Sequence, residues 1–209
     1  MTSTPIADLW TTLPGGAGSR PEAAYRLLEA AVEAFAERGY HATTTRDIAT
    51  AAGMSPAALY IHYPSKAALL AEISRGGHAA TLALVREAAG SGPDPVARMR
   101  RLVEDFTRWH ARGSTVGRVV NYELHALPPE DYAVVAGLRL DIERVVSEII
   151  TDGLAAGVFE VAEVRTAARA VTSLGIDVSR WYTDRSSETP EELGRRYGEL
   201  VLRMLGARI

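Results

Sequence analysis

The sequence predicts an all-α fold of about nine helices, with a helix-turn-helix head near the N-terminus and a larger helical domain behind it. Three observations carry this expectation. Apolar residues recur at three- and four-residue spacing through most of the 209 residues, which is the period of an amphipathic helix. Helix start and stop signals fall between those stretches: Ser, Thr or Asp before them, proline in first turns, glycine after last turns. No stretch alternates apolar and polar residues as a half-buried strand would, and no segment repeats.

Residues 1–20 carry Thr, Pro and Gly with little periodicity. They are expected to form a flexible arm, with Ile6, Leu9, Trp10 and Leu13 as its apolar side chains. Ser19 and Glu22 read as a capping box with Pro21 in the first turn. Ala24, Leu27, Leu28, Ala31 and Phe35 then follow helical spacing as far as Gly39. Thr44 is followed three residues later by Asp47, a second helix start. Ile48 and Ala52 share one face of that helix, Ala49 is small enough for a close crossing, and Gly53 ends it. Ser55 and Pro56 restart the chain as N-cap and first-turn proline, and Leu59 is the inward anchor. Two short helices joined by a glycine turn at this spacing make a helix-turn-helix.

Pro64 breaks the chain, and Ser65 caps a further helix that opens at Lys66, the only lysine in the sequence. A flexible ammonium at a helix N-terminus suits a phosphate. Leu69, Leu70 and Ile73 point inward along this helix, the Gly76-Gly77 pair is a point of bending, and Leu82 and Val85 continue the stripe. The run GSGPDP at 90–95 is the clearest punctuation in the chain. Met99, Leu102, Val103, Phe106, Trp109 and His110 then mark a helix ending near Gly113. A shorter helix over about 114–126 is stopped by Pro128-Pro129, and a long one over about 130–156 ends at Gly157. Another spans about 162–183, and Pro190 opens the last. The expected organisation is an arm over 1–20, a head over 21–66 with its connecting helix starting at 65, and a second domain over 67–209.

Composition narrows the function. The net charge of −3 means that any affinity for nucleic acid must come from a local patch. With no cysteine there is no disulfide and no thiolate metal site, which fits a cytoplasmic protein. No apolar run reaches the length of a membrane span, and the N-terminus lacks the basic and apolar regions of a signal peptide. No His-Glu-x-x-His, nucleophile elbow or phosphate-binding glycine loop is present, so no enzyme, metal or cofactor is expected.

The run from Thr44 to Lys66 resembles the DNA-binding end of the TetR family of bacterial repressors. The likeness lies in Thr44-Thr45-Arg46, Ile48-Ala49, Ala52-Gly53, Leu59-Tyr60, His62 and Pro64-Ser65-Lys66. It implies that Thr45, Arg46, Tyr60, His62 and Lys66 stand at DNA-contacting positions. This chain departs from the pattern in placing Pro56, Ala57 and Ala58 along the first turn of the recognition helix. Those residues offer thymine methyls contact but no hydrogen bonds, so base readout falls on Thr45, Arg46, Ser55 and DNA shape.

The resemblance also implies a small-molecule effector in the second domain. Phe106, Trp109, His110, Tyr122, His125, Arg139 and Ile142 mix apolar walls with a few polar groups, as such a pocket needs. The stretches 180–182 and 189–193 are similar to actinobacterial members that answer to acyl-CoA thioesters. Apolar stripes on the last two helices, Leu174, Val178 and Trp181 on one and Tyr197, Val201 and Met204 on the other, read as a twofold dimer interface. The expected protein is a homodimeric repressor of a palindromic operator, released by its effector. The competing expectation is a helical DNA-binding protein without an effector.

Overall fold

The computed structural model describes residues 21–207. The expected arm, its four apolar residues and the Ser19 cap lie outside the described residues. Within them the chain forms nine α-helices: α1 Glu22–Arg38, α2 Thr45–Ala51, α3 Pro56–His62, α4 Lys66–Gly90, α5 Pro95–Arg112, α6 Ser114–Tyr122, α7 Pro129–Ala155, α8 Val164–Trp181 and α9 Pro190–Met204. A single 3-10 turn, Leu124–Ala126, joins α6 to α7. No strand occurs among the described residues, and none of their helices is long and apolar enough to cross a membrane.

Local chemistry sets most of the helix ends. Thr44 and Asp47 form a reciprocal capping box at α2, and Thr189 and Glu192 form another at α9. Ser55 caps α3 and Asp94 caps α5, each ahead of a first-turn proline. Such caps contribute about 1 kcal/mol each by satisfying backbone N–H groups that have no partner in the first turn. Pro21 itself stands at the N-cap of α1 rather than inside its first turn. Gly53 follows α2 with φ 68°, a left-handed conformation that only glycine adopts without strain.

The described residues fall into two compact units. One comprises 21–80 and 115–136, so it joins the helix-turn-helix to the first half of α4, to α6 and to the start of α7; its limits differ from a boundary at 66–67. Its core is built on Leu27, Leu28, Phe35, Ile48, Leu59, Leu69, Leu70 and Ile73, all essentially inaccessible. The Gly76-Gly77 pair does not interrupt α4, which runs unbroken through it. Gly77 instead serves a close approach, since a Cβ there would lie 3.1 Å from Val120 Cγ1 on α6.

The other unit comprises 81–114 and 137–207. Its core is Leu82, Val85, Met99, Leu102, Phe106, Val146, Ile149, Ile150, Phe159, Val171, Val201 and Leu202. Here α5 packs on α8 and, over most of its length, on α9. Glycines allow that approach. A Cβ on Gly194 would meet the Glu104 carbonyl oxygen at 2.8 Å, and one on Gly175 would overlap the Phe106 ring. The loop after α8 is closed by Tyr182, whose hydroxyl donates to the Glu188 carbonyl at 2.9 Å.

Candidate nucleic-acid interface

The outward face of α2 and α3 assembles from capped first turns. The Thr44 hydroxyl oxygen accepts the Asp47 N–H at 3.1 Å, and the Asp47 carboxylate accepts the Thr44 N–H at 2.9 Å and its hydroxyl at 2.7 Å. These bonds, the side-chain one foremost, hold the Asp47 carboxyl below its ordinary pKa. Ser55 Oγ accepts the Ala58 N–H at 3.2 Å. Across the two helices, the Thr45 and Tyr60 hydroxyls are hydrogen-bonded at 3.1 Å. That bond sets the rotation of α3 on α2 from the solvent side, as buried Leu59, Ile48 and Ala49 set it from the core side.

The residues expected to touch DNA share this side of the head. Arg46, Ser55, Ala57 and Tyr60 are exposed, and Thr45 and His62 are partly so. Beside them stands Ile61, 81% exposed. It carries no sequence signal as a contact, because an apolar residue in an amphipathic helix reads as core.

Lys66 departs from its expected role. Its ammonium, assigned to a phosphate, turns back into the protein and donates to the Tyr40 carbonyl at 2.6 Å and the Thr43 carbonyl at 2.7 Å. The His41 carbonyl stands 3.4 Å away, and the Tyr40 ring lies under the charge, 4.2 Å from Nζ to the ring centroid. Three carbonyls and an aromatic face use the donors and the field that a phosphate would need. The same turn is gripped from its other side by Glu123, just beyond α6, whose Oε1 accepts the Tyr40 N–H at 3.1 Å. Thr43, buried, places its hydroxyl 2.9 Å from the Gly39 carbonyl and 3.1 Å from that of Ala34. Burial also raises the Tyr40 phenol pKa. Glu123 is 83 residues from Tyr40 in sequence, so no local pattern announces it.

The expected effector residues divide. Phe106 and His110 are buried side by side on α5, their rings 4.3 Å apart. His110 Nδ1 lies 2.8 Å from the Phe106 carbonyl, so Nδ1 carries the proton and donates it. Desolvation, with a further push from the Arg139 charge, lowers the His110 pKa to about 4, and the ring is neutral at pH 7. Trp109 donates its indole N–H to the Thr81 hydroxyl at 3.1 Å. Ile142 is buried in the same unit. Thr107, fully buried beside them, has no hydrogen-bond partner for its hydroxyl among the described residues. Thr81 and Thr107 were not singled out by sequence, because isolated threonines on a helix carry no pattern. Tyr122 and His125 belong to the other unit and are open to solvent, Tyr122 at 49%, rather than enclosed.

The expected dimer stripe needs correction at two residues. Val178 and Val201 are completely buried within their own unit, Val178 beside Ala111, Tyr182 and Leu193, and Val201 in the main core. Spacing marked an apolar face correctly, but α5 already covers it. The apolar surface left outside is rotated to Trp181 at 40%, Met204 at 41% and Leu200 at 46%, flanked by half-buried Leu174 and Tyr197. Leu200 was absent from the expected set.

Among the described residues no group of three His, Asp or Glu is placed to hold a metal. Residues 27–73 match the family model described as bacterial regulatory proteins, tetR family, and 92–205 match the tetracyclin repressor-like C-terminal domain. The chain is 31% identical over 206 residues to the HTH-type transcriptional repressor KstR2 of Rhodococcus jostii, covering 97% of this chain and 96% of that one. A tetR-family regulatory protein from Rhodococcus RHA1 superposes with a TM-score of 0.87 at 42% identity, over 91% of this chain and all of that one. KstR2 of Mycobacterium tuberculosis, described as a ketosteroid transcriptional regulator, superposes with a TM-score of 0.82 at 26% identity, over 90% and 97%.

Proposed function

Because this chain belongs to the TetR family of bacterial transcriptional regulators, we propose that it represses transcription as a homodimer on a palindromic operator and is released by a small-molecule effector. The observation that carries the reading is the head. Two seven-residue helices, each capped, are locked against one another by Ile48 and Leu59 inside and by the Thr45–Tyr60 bond outside. That lock presents Arg46, Ser55, Ala57 and Tyr60 together. A dimer axis places two such faces about one helical turn of DNA apart, in successive major grooves.

Arg46, with its charge and exposure, takes a guanine edge or a phosphate. Thr45 and Ser55, expected at base edges, are bonded to Tyr60 and to the Ala58 N–H, and with Tyr60 and His62 they hold the backbone instead. The apolar surface around Trp181, Leu200 and Met204 is the surface a twofold partner would cover. The effector enters beside Phe106, Trp109, His110 and Ile142, where aromatic and aliphatic walls meet a neutral imidazole, and Arg139 supplies a cation for an anionic group. That chemistry suits an acyl-CoA thioester. An effector that binds one dimer spacing better than the other lowers operator affinity by that difference in free energy.

The test has two arms. Selection from a random duplex library should enrich a palindrome, bound with nanomolar affinity by the wild type and lost by a Trp181→Glu/Met204→Glu monomer. A library that yields no preferred sequence refutes the operator reading. Melting temperature should then rise with the concentration of one member of an acyl-CoA and fatty-acid panel, and that compound should lower operator affinity. Stabilisation with unchanged operator affinity removes the effector from the proposal.

A further inference from the structure

The side of α3 that faces solvent is almost entirely hydrocarbon. Pro56, Ala57, Tyr60 and Ile61 are its exposed residues. They sit at positions i, i+1, i+4 and i+5, which form one stripe on an α-helix. Ile61 is the most exposed large apolar side chain among the described residues, at 81%. The helix PAALYIH contains no Arg, Lys, Asn, Gln, Asp or Glu, the side chains that make bidentate contacts to base edges. Beside the stripe, Ser55 Oγ accepts the Ala58 N–H, the Tyr60 and Thr45 hydroxyls share one bond, and Asp47 is bonded to Thr44. The lone lysine, which could have reached across, is turned inward onto the Tyr40–Thr43 turn.

A major groove offers such a stripe one apolar partner, the C5-methyl group of thymine. Resting on the reading of this head as an operator-binding module, we propose that Ala57 and Ile61 are its specificity-determining residues. They select half-sites by contact with thymine methyls, while the Thr45–Tyr60 pair fixes the register on the backbone. Alanine at 57 lets the helix axis approach the groove floor, and Ile61, one turn later, reaches the next methyl along. Discrimination therefore lies between thymine and bases lacking that methyl, with no hydrogen-bond code under α3.

The experiment uses the full-length protein and the operator recovered by selection. Deoxyuridine, which differs from thymidine only by that methyl, replaces each thymidine of a half-site in turn, and affinity is read by fluorescence anisotropy. Each contacted methyl should cost about three- to fourfold, the effect of one apolar carbon of about 0.8 kcal/mol at 1.4 kcal/mol per tenfold. 5-Bromouracil, which restores bulk at the same atom, should recover the loss, and deoxyuridine outside the half-sites should cost nothing. In Ile61→Ala, whose side chain is exposed and whose fold is checked by circular dichroism, the penalty at one position should vanish. Ala57→Gly should do the same at a neighbouring one. Half-sites that tolerate deoxyuridine throughout overturn the proposal while leaving operator binding in place. So does a penalty that survives both substitutions unchanged. A selection that enriches no sequence removes both readings together.

Discussion

The unit that contains the head and the unit built around α5 hold their helices by different means. In the head, α2 and α3 have seven residues each, far below the length at which an isolated helix persists in water. Beside the few buried anchors Ile48, Ala49 and Leu59, what keeps them is a short set of directional bonds: two caps, the Thr45–Tyr60 pair, and the turn at Tyr40–Thr43 gripped by Lys66 on one side and Glu123 on the other. In the α5 unit the helices are 15 to 18 residues long at α5, α8 and α9. There they are held by burial, with Gly175 and Gly194 letting one helix lie against the next. The difference shows where single side chains matter. A geometry carried by a few polar bonds changes when one of them is cut, whereas a packed interface spreads the same energy over dozens of contacts.

The largest effect expected from this contrast is acid lability centred on His110, the titrating group inside the packed unit. Its folded pKa of about 4 lies below the unfolded value of 6.5. The stability it contributes is therefore complete above pH 6.5 and is lost as pH falls through that value towards 4, by about 3 kcal/mol. Urea unfolding at pH 7.5, 6 and 4.5 should show this loss in the wild type and a flatter dependence in His110→Gln. Equal slopes in the two proteins would show that His110 is not the group that sensitises the packed unit to acid.

Next in size is Lys66→Met, which keeps the apolar stem and removes the ammonium. Cutting charge-assisted bonds to the Tyr40 and Thr43 carbonyls should cost about 2 kcal/mol of stability. Operator affinity should fall by a similar factor at every salt concentration, leaving the log–log salt slope unchanged. A slope reduced by about one counterion per half-site would instead mean that Lys66 meets a phosphate in the complex.

The smallest effect probes the one close glycine approach on the head's side of the comparison. Gly77→Ala gains about 1 kcal/mol of helix propensity and pushes a methyl to 3.1 Å from Val120 Cγ1, a squeeze that a valine rotation relieves. The net change should stay within about 0.5 kcal/mol in either direction by thermal unfolding. A loss above 2 kcal/mol would mean that the α4–α6 contact is as unyielding as Gly194 against the Glu104 backbone.

Much of the fold was legible because helix ends are local chemistry. Thr44 with Asp47, Ser55 with Pro56, and Pro190 each state a start within four residues, and the structure begins helices at those places. The glycine pair at 76–77 is harder to read from sequence. Glycine signals backbone freedom and close approach alike, and only the structure brings Val120 against Gly77. Among the candidate site residues, Arg46 and Tyr60 were expected from the family resemblance, and Phe106 and His110 from their mix of apolar and polar groups. Ile61 could not, because nothing in a single helix says which apolar residue has no partner.

By itself, the sequence determined the helical architecture, the helix-turn-helix and the family to which the chain belongs, all of which rest on residues within one or two turns of each other. The tertiary structure alone decided where side chains spend their bonds. It turned Lys66 onto carbonyls 23 and 26 residues away and brought Glu123 to Tyr40 across 83. It buried Val178 and Val201 while leaving Leu200 and Met204 outside. The physical reason is common to all of these. Periodicity gives the direction of an apolar face, but burial and hydrogen bonding depend on what another segment brings against that face, and that segment is distant in the chain.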